Sequence, residues 1–66
     1  MIGDKEIMFK GMTFTVRQSQ KDGQWMYQEK ELGGPWSSCE KMIVNMAIDI
    51  RFRRLLRKAI EEGEKK

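Results

Sequence analysis

The 66 residues carry 13 lysines and arginines against 10 aspartates and glutamates, with no histidine and a single cysteine. That is chain for one domain, which buries only about 60% of the surface its unfolded form exposes. One thiol closes no disulfide within the chain, and without histidine there is neither a thiolate–imidazole metal cage nor a base that titrates near neutrality.

Self-association is then the remaining aid to stability for so small a fold. A lone cysteine, Cys39, fits a reducing compartment such as cytoplasm. No apolar run approaches the roughly 18 residues that span a bilayer. The opening Met1-Ile2-Gly3-Asp4-Lys5-Glu6 lacks the basic start and apolar stretch of a signal peptide, so a cytoplasmic location and no membrane partner are expected. The formal charge of +3 is mild. It suits a soluble surface, or attraction to nucleic acid or an acidic protein.

Residues 6–32 alternate apolar with polar, residues 33–36 form a linker, residues 37–62 follow a helical period, and residues 63–66 read as a frayed tail. Glu6-Ile7-Met8-Phe9 reads as a short strand. Lys10-Gly11 after it is either a turn or a kink inside one longer strand. Met12 to Gln18 is the clearest strand: Met12, Phe14 and Val16 share one face, Thr13, Thr15 and Arg17 the other. Gln20-Lys21-Asp22-Gly23 is a turn, because Asp-Gly tolerates the positive backbone angles of a tight hairpin. Trp25 to Leu32 returns, with Trp25, Tyr27 and Glu29 on one face and Met26, Gln28, Lys30 and Leu32 on the other; either face can be core. Gly33-Gly34-Pro35 ends this strand. Ser37-Ser38-Cys39-Glu40 matches the S-x-x-E capping box, and Gly63 supplies a C-terminal stop. The expected fold is α+β: a two- or three-stranded antiparallel β-meander followed by one long C-terminal α-helix packed on the sheet.

That helix carries the most information. At 100° per residue Val44, Ala47, Ile48, Phe52, Leu55 and Ala59 fall in one arc. Met42, Ile43, Met46 and Ile50 fall in a second arc, roughly opposite. Either a curved sheet cradles both arcs inside one monomer, or the second arc docks on another chain. A small meander has little wrapping surface, which favours docking. A homodimer or a larger protein target would satisfy the same physics. Arg53 and Arg57 continue the line of the second arc, giving an apolar centre of Met42, Ile43, Met46 and Ile50 with an arginine edge, a common interface composition.

Arg51, Arg53, Arg54, Arg57 and Lys58 together put five cations into eight residues. They form either a solvated helix face or a cluster for phosphates or carboxylates. Arg57 with Glu61 and Lys58 with Glu62 are spaced for i, i+4 pairing.

The elements of catalysis are missing. Cys39 has no histidine to activate it, although the first turn of a helix can lower a thiol pKa. Ser37 and Ser38 are better explained as caps. Glu29 and Glu31 share a strand face but no pocket. Gly33-Gly34 lacks the lysine and spacing of a phosphate loop. No catalytic residue, metal, cofactor or small-molecule substrate is expected. Phe14, Trp25, Tyr27 and Trp36 are either a base-stacking platform or the core's aromatic content.

Lys21-Asp22-Gly23-Gln24-Trp25-Met26-Tyr27, then Pro35-Trp36-Ser37-Ser38, then a helix, resembles the strand-strand-strand-helix layout of phage integrase arm-binding domains. It is also similar to small accessory proteins of bacteriophages and mobile elements. The resemblance covers residues 6 to about 50. It implies a phage-type origin, hence a host cytoplasm, and a sheet that enters the DNA major groove. The present strands depart from that pattern: Arg17 is their only arginine, and the cations sit on the helix.

The reading is a non-catalytic protein-binding module. It would be a small phage-type regulator or inhibitor, acting as a dimer or on a larger host protein. The alternative is nucleic-acid binding through Arg51, Arg53, Arg54, Arg57 and Lys58.

Overall fold

The computed structural model describes residues 4–64. Residues 1–3 and the expected frayed end Lys65–Lys66 lie outside the described residues. Strands β1 (Lys5–Phe9), β2 (Met12–Gln18), β3 (Trp25–Glu29) and β4 (Ser37–Ser38) form one antiparallel sheet in the order β1-β2-β3-β4. Helices α1 (Cys39–Val44) and α2 (Ile50–Glu64) follow. The layout is the α+β one expected, with four strands in the meander rather than two or three.

Lys10-Gly11 is a true turn. Both residues have positive φ, +52° and +77°, the pattern that matches strand twist in a two-residue hairpin loop. It closes on the pair Phe9↔Met12, which sets Ile7 opposite Phe14 and Lys5 opposite Val16. The second turn is held by side chains as well as backbone. Ser19 Oγ accepts from the Lys21 amide, Asp22 Oδ1 accepts from the Gln24 amide, and the Gly23 amide donates to the Ser19 carbonyl at 2.8 Å. β3 then pairs Val16 with Tyr27. The core face is thereby Phe14, Val16, Trp25 and Tyr27, and the opposite face of the sheet is left open.

The return strand stops at Glu29, three residues short of the expected Leu32. Glu29 turns the chain: its carbonyl accepts from the Gly33 amide at 3.0 Å, and its carboxylate accepts from the Leu32 amide. Residues 37–38 form strand rather than helix, because Ser37 and Ser38 pair with Tyr27 and Met26. The expected Ser37–Glu40 capping box is therefore not made. Ser38 caps α1 instead, its Oγ accepting from the Lys41 amide at 3.3 Å.

The single long helix expected over residues 37–62 is broken between Val44 and Ile50. Two Asx side chains cause the break by offering the backbone partners that a continuous helix would deny it. Asn45 ends α1 with an extended ψ of 108° while its Oδ1 accepts from the Ala47 amide at 3.0 Å. Asp49 starts α2, its Oδ1 accepting from the Arg51 amide at 2.9 Å. The break resolves the two apolar arcs into two helices with separate phases. α1 turns Cys39, Met42 and Ile43 inward, and α2 turns in Phe52, Leu56, Ala59 and Gly63. Of the first expected arc, Val44 and Ala47 are exposed, Ile48 and Leu55 half-buried, and Leu56 takes the fully buried position assigned to Leu55. Burying a leucine of this kind stabilises by about 1.5–3 kcal/mol.

Phe52 is the centre of the core, with ring centroids 5.3 Å from Phe9, 5.0 Å from Phe14 and 5.6 Å from Tyr27. Phe14, Trp25 and Tyr27 are therefore core rather than a stacking platform; burial also raises the Tyr27 phenol pKa. Gly63 is not the helix stop expected of it. It lies inside α2, buried, because the Trp25 indole rests against its backbone where any side chain would collide.

Candidate functional site

The break separates residues that a straight helix would have lined up. Met42 and Ile43 are half-buried and pack on the core, so the centre expected for a docking face is partly withdrawn into the fold. Met46 and Ile50 stay outside at 82% and 52% exposure, joined by Val44 at 68%. Arg53 ties this corner together. Its Nη1 donates to the Ile43 carbonyl at 3.4 Å and to Met46 Sδ at 3.7 Å, bridging the end of α1 to α2. Its Nε is buried and has no acceptor. Arg57, one turn on from Arg53, is exposed. Val44, Met46 and Ile50 are thus large apolar side chains left exposed around the helix break, an apolar corner with Arg53 against Met46 and with Arg57 on the Ile50 face of α2.

The five-cation cluster divides between two flanks of α2. Arg53 and Arg57 belong to the corner just described. Arg51, Arg54 and Lys58 border a groove of about 540 Å³ between α2 and β1, with Met8, Phe9, Lys10 and Leu55. Arg51 is held by Asp49 at 3.0 Å, and this ion pair keeps the Asp49 carboxyl down at about 2. The Arg51 guanidinium and the Lys10 ammonium both lie over the Phe9 ring, 5.8 and 5.4 Å from its centroid. Among the described residues the side chains of Lys10, Arg54 and Lys58 make no ion pair or hydrogen bond, although the Lys10 charge helps to depress the Asp49 carboxyl, and the i, i+4 pairs expected with Glu61 and Glu62 are not formed.

The open sheet face carries two cations, each already matched. Arg17 makes a two-point contact with Asp4 at 2.8 and 2.9 Å and lies over the Trp36 ring at 4.7 Å. Those hydrogen bonds lower the Asp4 carboxyl below its ordinary range. Lys30 meets Glu6 at 2.7 Å. Exposed pairs of this kind contribute little stability, but they leave neither cation free for phosphate. Glu31 lies beyond the end of β3, so it forms no acid pair with Glu29.

Cys39 is fully enclosed, and burial pushes its thiol up to about 11, overriding the helix start at which it sits. Among the described residues no group of three or more potential ligands comes together around a metal position, and no helix is long and apolar enough to cross a membrane. The sequence reading missed the β1 groove, because residues 8–10 and 51–58 meet only when α2 lies along the sheet edge. No family model matches the chain, and neither a curated protein nor a solved structure matches it.

Proposed function

We propose that this protein is a non-catalytic protein-binding module whose contact surface is the apolar corner at the helix break. The observation that carries the reading is the outward position of Val44, Met46 and Ile50 beside Arg53 and Arg57. Three large apolar side chains exposed within seven residues of chain are a cost that a partner removes. The exposed Arg57 at the border suits carboxylates on that partner. A chain without histidine, with its thiol enclosed and its paired serines used for strand pairing and capping, acts by occupying a surface. Such a role is that of a small regulator or inhibitor. Nucleic-acid binding draws less support, because the five cations divide between two flanks and Arg51 and Arg53 are held by their own chain.

The test is site-specific photo-crosslinking in cells from position 46, with position 15 on the open sheet face as control. A protein adduct at 46 and not at 15 supports the reading. It can be a second 7.8 kDa copy or a larger chain. Met46→Asp and Ile50→Asp should abolish the adduct formed from a crosslinker at position 44 and leave a folded protein by circular dichroism. Equal labelling at 46 and 15, or unfolding of both aspartate variants, overturns it.

A further inference from the structure

The free edge of the sheet and the groove beside it carry a second inference. β1 is an edge strand. In a hairpin with a two-residue loop the closing pair, here Phe9↔Met12, is hydrogen-bonded, and bonding alternates from there. Phe9, Ile7 and Lys5 therefore bond to β2, while the N–H and C=O groups of Met8 and Glu6 point away from the sheet. An unpaired row of this kind is a template for another strand. What lies alongside decides which strand. The groove between β1 and α2 has an apolar floor of Phe9 and Leu55, and a rim of Lys10, Arg51, Arg54 and Lys58 with no carboxylate lining it. Arg54 and Lys58 lack an acidic partner, and Lys10 has only the Asp49 carboxylate beyond ion-pair distance.

We propose that β1 receives an acidic, extended segment of a partner protein as a fifth strand. Its backbone bonds to Met8 and Glu6, and alternate side chains enter the cationic groove. The period of a strand puts every second residue of the guest on the groove side, so the segment carries carboxylates at alternating positions. A second copy of this chain is disfavoured as guest, since its own β1 arrives with the same cationic rim. A nucleic acid meets the charge but has no use for a row of amide donors and carbonyl acceptors spaced for a peptide.

The probe is a fluorescein-labelled peptide, Gly-Glu-Val-Glu-Val-Glu-Gly, titrated against the full chain by anisotropy, with amide hydrogen exchange on the complex. Saturable binding is expected, with slowed exchange at the Met8 and Glu6 amides. A Pro-interrupted version and the Lys-for-Glu version should each bind at least tenfold more weakly. The double variant Arg54→Glu, Lys58→Glu, two exposed substitutions, should lose affinity by tenfold or more. Met8→Pro removes the outward donor without touching the β2 ladder and should lose it as well. Met46→Asp, on the opposite flank of α2, should leave it unchanged, which separates this proposal from the corner contact. Absence of peptide binding overturns the proposal. Binding without protection of Met8 also does, as does equal binding of oligothymidylate or the Pro-interrupted peptide, which would mark an unspecific polyanion surface.

Discussion

Replacing Gly63 by alanine should destabilise this protein, although alanine is the better helix former. In an open helix interior the exchange gains about 0.5–1 kcal/mol. At this position the new methyl would sit within 3.1 and 3.2 Å of Trp25 Cζ2 and Cζ3 and closer still to Cη2. The indole is 8% exposed, so it retreats only by displacing packed neighbours. Overfilling a packed core costs about 1–3 kcal/mol, and contacts this short place the exchange in the upper half, about 2–3, so a net loss of about 1–2.5 kcal/mol is expected after the helix gain. At roughly 4–8 °C per kcal/mol for a domain of this size, that is readily seen in a thermal melt followed by circular dichroism. The control is a double-mutant cycle with Trp25→Phe. The smaller ring makes room and also removes an indole N–H that has no acceptor. The penalty of Gly63→Ala should then shrink by about 1 kcal/mol, a coupling expected only of residues in contact. If Gly63→Ala is neutral or stabilising in the parent background, the indole does not rest on the helix backbone and the account of the last turn fails.

Leu56→Ala empties a fully buried position and should cost about 2–5 kcal/mol, comparable to the whole stability of a domain this small. Leu55→Ala, half-buried one residue earlier, should cost less than half of that in urea titration, and equal losses would contradict the helix phase. The Cys39 thiol, at about 11 rather than 9.0, has a thiolate fraction about a hundredfold lower at pH 8. A colorimetric thiol reagent should leave it unreacted until denaturant is added; rapid labelling of the native protein would show that it is not enclosed. Asp49 has a depressed folded-state pKa, about 2 against about 3.9 for an unfolded aspartate. Its contribution is therefore whole above pH ~4 and is lost as the pH falls toward 2. The stability gap between the parent and Asp49→Asn, which keeps the cap but not the charge, should narrow between pH 6 and pH 2.5. A gap that stays constant would mean that the Arg51 pairing does not act on folding.

The strands were legible because period-two alternation and turn chemistry are local. Phe14 and Val16 against Thr13 and Thr15 leave one consistent inner face, and Asp22-Gly23 can do little but turn. The helix break was present in the sequence but weakly marked. Asn45 and Asp49 interrupt an otherwise apolar stretch, and a wheel drawn through them treats both as polar points on a continuous rod. Their competing role, closing one helix and opening the next, appears only when side-chain hydrogen bonds to the backbone are weighed against helix continuation. Ser37 was misread for a related reason: a serine pair before an apolar run fits a cap at either residue, and strand pairing with Tyr27 decided for Ser38. Gly63 looked like a stop because glycine usually ends helices, and its actual use depends on Trp25, 38 residues earlier. Of the six residues expected at the docking face, Met46, Ile50 and Arg57 are exposed, and Arg53 is half-buried with its Nε enclosed. Met42 and Ile43 turned inward because the break let them.

The order of elements also bears on how the molecule is made. All the strand-to-strand contacts join neighbours in sequence, so the meander can zip up as it leaves the ribosome. Its inner face, with Phe14, Val16, Trp25 and Tyr27, then stays wet until residues 39–43 and, above all, residues 52–63 have emerged to roof it. During synthesis there is thus an interval in which a finished sheet waits with its aromatic side bare, and whatever shortens that interval, including a helix that nucleates early at Asp49, protects the nascent protein from its neighbours.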